Sequence, residues 1–248
     1  MSSGTSEGNT RIAEQQLARP LEIARYLIDQ KILGQYSTLQ SMNVPDVQPV
    51  VLSEDISIPL ARLMGIEGAA ASSYWNEWKN HVQVPWSPDD LSRVPAHWVT
   101  FPGRTSLREG AKKNRHATDP VNAMLNYAYK VLESETLLVC RRYGLNPDYG
   151  ILHATGEGRH AFVHDLMEPV RPYVDKLIVR FLTNRTDRIY YLNDAYFDRR
   201  WCHETKAGNC KLDPPLTHTI AGWAPEIGSM AREYALAVRR KLLYNGEI

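Results

Sequence analysis

The sequence has few cysteines and no long apolar run, and each shortage excludes a class of protein. Its three cysteines, Cys140, Cys202 and Cys210, cannot form the multi-disulfide framework of a small secreted domain. No stretch approaches the roughly 18 uninterrupted apolar residues that a membrane-spanning helix needs. The first residues also lack the basic-then-apolar pattern of a secretion signal. We therefore expect a cytoplasmic protein with no membrane segment.

The chain also lacks an excess of charge of either sign, because its formal net charge is only +1 over 248 residues. Net charge therefore says little about a nucleic-acid partner. One short segment is nevertheless strongly basic and contains a single acid; its cations are Arg104, Arg108, Lys112, Lys113 and Arg115. Such a run is typical of a phosphate-binding surface, although a solvated loop can have the same composition.

Apolar residues recur at helical spacing along most of the chain, which predicts a mostly α fold. The expected helices cover 20–42, 53–81 (or 59–81, with Pro59 first), 118–144, 161–182 and 225–243. The small, polar residues 1–10 are interpreted as a disordered or vector-derived start. This leaves 11–248 as a single helical domain.

Glu67 lies between two glycines, Gly65 and Gly68, inside a predicted helix. Each glycine costs a helix about 1 kcal/mol relative to alanine, so a compensating role is expected. Missing side chains on both sides of Glu67 would let another element or a ligand approach the backbone. The alternative is tight helix packing through small residues, with Glu67 exposed to solvent. The residues alone leave both interpretations open.

A second acidic feature is the pair Asp165 and Glu168, which are three residues apart and share one helix face. Their charges repel each other unless a cation lies between them. Pro169 and Pro172 have no N–H to donate to the carbonyls of residues 165 and 168, so the helix should kink or restart there. His153 ends a nearby loop and needs partners to serve as a metal ligand. Two carboxylates and one imidazole suit Mg²⁺ or Mn²⁺.

Four motifs in order resemble the helical lobe of the CRISPR-associated integrase, which inserts new spacers into CRISPR arrays: LMGIEGAAASSYW, TDPVNAMLNYAYKVL, GLNPDYGILH and FVHDLMEPVRPYVD. The resemblance implies that Glu67, His153 and Glu168 are catalytic and hold the metal. It implies that Asp165 belongs to the same catalytic group and supports the site. The family often has Asp where this sequence has Glu168, whose side chain is one methylene longer.

Two other acids, Glu133 and Glu135, are rivals of Glu67 for the first ligand position. Both lie on the predicted helix over 118–144. The motif around Glu67 favours that residue, and the two rivals are expected to cap or pair locally.

The resemblance implies a transesterification without ATP, in which the 3′-hydroxyl ends of spacer DNA are joined to a phosphodiester at the repeat. Metal-dependent DNA cleavage is a related activity, and the basic segment over 104–115 would contact DNA phosphate. The implied partners are double-stranded and branched DNA, a small ferredoxin-like CRISPR adaptation subunit, and a second copy in a homodimer.

The β-rich N-terminal lobe of the family is not evident, so the chain is expected to be a fragment, a naturally short form or part of a fusion. Two other functions stay open. One is a non-catalytic DNA-binding subunit, in which the acids only support the fold. The other is a transposon-encoded integrase relative that uses the same site.

Overall fold

Helices dominate the part of the chain that the structure, a computed structural model, describes: residues 3–18, 20–48, 58–104, 116–153, 160–183 and 200–244. The helices are α1 Ser3–Leu17, α2 Leu21–Ser41, α3 Leu60–His81, α4 Pro88–Leu91, α5 Pro120–Arg142, α6 Ala161–Met167, α7 Arg171–Thr183, α8 Pro214–Ala221 and α9 Ala224–Tyr244. One antiparallel pair of short strands, β1 Cys202–Glu204 and β2 Cys210–Leu212, precedes α8. The predicted mostly α class is confirmed.

The start of α5 shows how local sequence chemistry sets the helix ends. The Asp119 side chain accepts a hydrogen bond of 2.8 Å from the backbone N–H of Asn122, which satisfies one otherwise free helical donor. Pro120 occupies the first turn, where its missing N–H costs nothing. α3 begins at Leu60, directly after Pro59, so the later of the two expected starts applies.

α5 lies at the centre of the packing and contacts α6, α7, α8 and α9. Its buried face includes Met124, Leu125, Ala128 and Leu132, all of them fully covered by neighbouring helices. α2 packs against both α3 and α7, while α1 packs against α9. The residues of α2, α3 and α7 are therefore close enough to build a shared site.

The structure adds elements that periodicity does not predict. α1 includes residues 3–10, for which we expect disorder, and it ends only at Leu17. The β1–β2 pair and α8 lie between 200 and 221, a region with no sequence-based assignment. None of the helices in the described ranges is both long and apolar enough to cross a membrane.

The predicted helix over 161–182, which contains Asp165 and Glu168, is interrupted where the prolines predict it. α6 ends at Met167, residues 168–170 form turns, and α7 begins at Arg171. α2 approaches this interruption closely, because a Cβ atom built on Gly34 would lie 2.9 Å from Cβ of Pro172. The predicted restart is thus confirmed, and a glycine of α2 accommodates it.

Replacing Gly34 with alanine should destabilise the protein, because the added methyl group would collide with the rigid ring of Pro172. The matched substitution Gly65→Ala should be neutral or stabilise by up to about 1 kcal/mol, since alanine favours a helix interior. A Cβ atom on Gly65 would meet no atom of the described residues within 4 Å. Thermal unfolding followed by circular dichroism measures both. An unfolding temperature of Gly34→Ala at or above that of the unsubstituted chain would contradict the close approach.

Candidate functional site

Glu67 of α3 and Glu168, which follows α6, reach the same cation, the ammonium group of Lys31 on α2. Lys31 Nζ contacts Oε1 of Glu67 and lies 2.6 Å from Oε2 of Glu168. The three side chains are largely buried, with 14%, 16% and 13% of their surfaces exposed for Lys31, Glu67 and Glu168. The two carboxylates expected to be metal ligands therefore converge on one position that already contains a positive charge.

Glu168 has a second cationic neighbour in Arg171, the first residue of α7. Arg171 Nε lies 3.1 Å from Oε1 of Glu168. Burial raises the pKa of the Glu168 carboxyl, but the charges of Arg171 and Lys31 outweigh it and hold the pKa below its ordinary value. Burial lowers the pKa of Lys31, and the two glutamates outweigh that effect and raise it. Glu168, Lys31 and Arg171 are therefore charged at neutral pH.

His153 is held by Asp165, a residue of α6. The Asp165 carboxylate is fully buried and accepts hydrogen bonds from the backbone N–H groups of Ile151, Leu152 (3.0 Å) and His153 (2.9 Å). His153 Nδ1 donates to the same carboxylate at 2.6 Å. The neutral ring in this arrangement carries its lone pair on Nε2, as a metal-ligating or proton-accepting imidazole does.

The Asp165 contact also sets the charge of the His153 ring. This hydrogen bond raises the pKa of His153, against the lowering effect of partial burial. The side chain keeps 43% of its surface exposed, so a ligand can reach the ring. The ring of His164 is a neighbour, with ring centroids 6.0 Å apart, and burial lowers the pKa of His164. His153 is thus the more readily protonated ring of the two.

The structure brings the four expected site residues together as two pairs: Glu67 with Glu168, and Asp165 with His153. His153 and Glu168 are near enough to influence each other's pKa. Within the described ranges, no three His, Cys, Asp or Glu side chains are grouped closely enough to hold a metal as they stand. The donor set nevertheless fits a hard divalent cation, because two carboxylates face one positive charge and an oriented imidazole lies nearby.

A buried carboxylate, Asp175 of α7, ties together the helices that present these groups. It accepts hydrogen bonds from the hydroxyls of Tyr74 on α3 (3.0 Å) and Tyr129 on α5 (2.6 Å). Burial raises the pKa of Asp175 to about 6, although both hydroxyls act to lower it. The guanidinium of Arg171 packs over the Tyr129 ring at 4.8 Å. Arg171, one of the two cations that contact Glu168, is therefore positioned by the same cluster.

Arg104 is the one residue of the expected DNA-contacting set that the structure describes; Arg108, Lys112, Lys113 and Arg115 lie outside the described residues. Arg104 donates to Oδ1 of Asn122 at 2.6 Å and Oδ1 of Asn126 at 3.3 Å. Its guanidinium lies 5.5 Å from the centroid of the Trp75 ring. Arg104 lines a cleft of about 180 Å³ together with Lys31, Glu168 and Arg171.

Two sequence-based interpretations of the acids are resolved. Gly65 and Gly68 do not receive a packed element, because a Cβ at either position would meet nothing within 4 Å. Among the described residues, the expectation of close approach by another element is therefore wrong, whereas approach by a ligand stays a prediction. The alternative with an exposed Glu67 is also wrong, because 16% of its side chain is exposed. Glu133 pairs locally with Lys130 at 2.6 Å, as expected for a rival that is not a ligand.

Sequence reasoning assigned no role to Lys31, Arg171 or Asp175. A signal for Lys31 exists, since it lies on the buried stripe of α2 beside Ile28 and Ile32. A lysine on an apolar helix face requires a carboxylate from another element. Which carboxylate it meets depends on how α2 packs against α3 and α7.

A scan against family models matches residues 1–190 to "CRISPR associated protein Cas1". Among curated proteins, the CRISPR-associated endonuclease Cas1 1 of Archaeoglobus fulgidus is 37% identical over 125 residues. The aligned segment is 50% of this chain and 32% of that protein, so the chain matches about a third of the relative's length.

Two solved structures share the fold at low sequence identity. "Casposase bound to integration product" superposes with a TM-score of 0.65 and 19% identity, covering 97% of this chain and 69% of that chain. "Partial Cas6-RT-Cas1--Cas2 complex" gives a TM-score of 0.65 and 18% identity, covering 95% and 69%. The family model matches most of the chain, including every residue of the two pairs described above, and the chain belongs to the CRISPR-associated protein Cas1 family.

Proposed function

We propose that this chain is a divalent-metal-dependent DNA integrase and endonuclease of CRISPR adaptation. It would join the 3′-hydroxyl ends of spacer DNA to a phosphodiester of the repeat by transesterification. The main support is the convergence of Glu67 and Glu168 on one cation position beside an imidazole that Asp165 orients. Further support comes from a relative named as an endonuclease and a neighbour solved with an integration product.

In this proposal Glu67, His153 and Glu168 are the metal ligands, and Asp165 is the residue that positions His153. Bound Mg²⁺ or Mn²⁺ would lower the pKa of the attacking hydroxyl and neutralise charge on the reacting phosphate. Asp165 fixes which nitrogen of His153 is free to bind a ligand, because Nδ1 is engaged. Arg171 keeps Glu168 ionised at neutral pH and therefore ready to bind a cation.

Besides Lys31, the described cations that line the cleft containing Glu168 are Arg104 and Arg171. Each is held by neighbours: Arg104 by two asparagines of α5, and Arg171 by Glu168 and the Tyr129 ring. Such preorganised guanidinium groups suit a phosphodiester of double-stranded or branched DNA. We assign to them, and to Arg108, Lys112, Lys113 and Arg115, contacts that position the DNA backbone without reading its sequence.

The proposed protein partners are a small ferredoxin-like adaptation subunit and a second copy of this chain. Support for the first is the shared fold with the Cas1-containing complex that also includes Cas2. The chain matches only part of its relatives' length, so both partners are proposals. Size-exclusion chromatography with light scattering measures each assembly. The second candidate function is integration of a mobile element, which the fold shared with the casposase favours.

Replacing Glu67 or His153 with alanine should lower strand joining on a branched DNA substrate with Mn²⁺ by at least about 100-fold, since each removes a proposed ligand. Glu133→Ala removes a carboxylate that pairs locally with Lys130 and should leave the rate within about twofold. A gel assay of labelled DNA measures all four proteins. Equal rates in every variant would contradict the site. An inert unsubstituted chain that still binds DNA would favour the binding-subunit function.

Replacing Asp165 with asparagine should lower the pKa of His153, because it removes the charge that favours the protonated ring. Proton NMR of the His153 ring over a pH series measures this. A protonated ring has no lone pair for a metal, so Mn²⁺ binding should strengthen as pH rises through the raised pKa. This rise should move to lower pH in Asp165→Asn.

The control is Asp148→Asn, which alters a similar aspartate–histidine pair, with His160, on the surface. It should leave the His153 titration unchanged. A His153 pKa that is the same in Asp165→Asn and the unsubstituted chain would contradict the proposed role of Asp165.

A further inference from the structure

The ammonium of Lys31 contacts two carboxylates that come from different parts of the fold. Lys31 lies on α2, Glu67 on α3 and Glu168 directly after α6, so the contact joins three parts of the fold. A lysine is rarely buried, and here 14% of its side-chain surface is exposed. The arrangement therefore needs an explanation beyond a surface ion pair.

The charges around this position balance. Glu67 and Glu168 each contribute one negative charge, and Lys31 and Arg171 each contribute one positive charge. With a divalent cation in place of the ammonium, the cation, the two carboxylates and Arg171 together would carry one net positive charge, which complements the single negative charge of a phosphodiester. With Lys31 in place the four side chains are together neutral. This neutrality stabilises the fold without a metal but does not favour the binding of a phosphate.

We propose that Lys31 is a built-in competitor of the metal, which holds Glu67 and Glu168 until a divalent cation displaces its ammonium group. This inference rests on the proposed metal site and adds a residue that controls its affinity. Because the metal can bind only the fraction of molecules in which the carboxylates are free, competition weakens the apparent affinity by that fraction. Lys31 would thus keep the pair ordered and ionised between binding events.

The surroundings of Lys31 allow such a displacement. Its side chain has a flexible four-carbon stem and a compact charge that can be solvated elsewhere. It borders the cleft of about 180 Å³ that also contains the side chains of Gln35, Tyr129 and Asp175. The ammonium can therefore move toward polar groups that line the cleft without entering the apolar core.

The test is the affinity for Mn²⁺ alone, measured from the electron paramagnetic resonance signal of free Mn²⁺ during titration of the protein. Lys31→Met should lower the Kd about tenfold, as expected if the ammonium leaves the carboxylates free in about a tenth of the molecules. Lys130→Met removes a lysine that pairs with Glu133 on the exposed face of α5 and should leave the Kd unchanged. Glu67→Gln should weaken binding in either background.

The possible outcomes separate the inference from the proposed site. Glu67-dependent Mn²⁺ binding with an equal or weaker affinity in Lys31→Met would overturn the competition and leave the metal site intact. Binding that does not depend on Glu67 in any variant would overturn both. If Lys31→Met and Lys130→Met tightened binding equally, general electrostatics would explain the effect and the competition would be rejected.

Thermal unfolding provides a second measurement that does not require a fully stable variant. Without metal, Lys31→Met should unfold at a lower temperature, since two carboxylates are left facing each other. Added Mn²⁺ should raise the unfolding temperature of Lys31→Met more than that of the unsubstituted chain. An equal or smaller increase would contradict competition, and Lys31→Arg, which retains the charge, should behave more like the unsubstituted chain.

Discussion

The interruption of the helix between Met167 and Arg171 is the constraint on which the site depends. In an uninterrupted helix, acids three residues apart share a face and repel each other. Here Asp165 lies in α6 and binds the loop that ends in His153, whereas Glu168 lies in the turn and binds Lys31 and Arg171. The two prolines thus allow neighbouring acids to serve different partners, one orienting the imidazole and the other facing the cation position.

Burying these charges costs free energy that their pairing must offset. A buried ion pair is often no more stable than an apolar replacement, but removing one partner leaves an uncompensated charge. Glu168 illustrates this, because burial alone raises its pKa and two cations are needed to lower it. The presence of such a cluster is therefore weak evidence that it stabilises the fold.

Local sequence chemistry predicted much of the fold, and the family resemblance named the acids. The Asp119-Pro120 start of α5 and the break near Pro169 follow from capping and from missing N–H donors, which involve only adjacent residues. The Lys31 contacts with α3 and with the turn before α7 could not be predicted, since they depend on how helices distant in sequence pack. The failed interpretation of Gly65 and Gly68 has the same origin, because open space beside a glycine is a tertiary property.

Asp175 shows how the fold limits the movement of the site. Its carboxylate joins Tyr74 of α3 to Tyr129 of α5 while belonging to α7, so the helices that present Glu67 and Arg171 are tied through one buried group. Burial raises its pKa to about 6, so the folded state holds the proton more tightly than the unfolded chain. Its ionisation therefore reduces stability as pH rises from about 4 to about 6. Above that range the ionised carboxylate accepts hydrogen bonds from both hydroxyls. These bonds keep the helices near the proposed cation site rigid, at a cost in the stability of the fold.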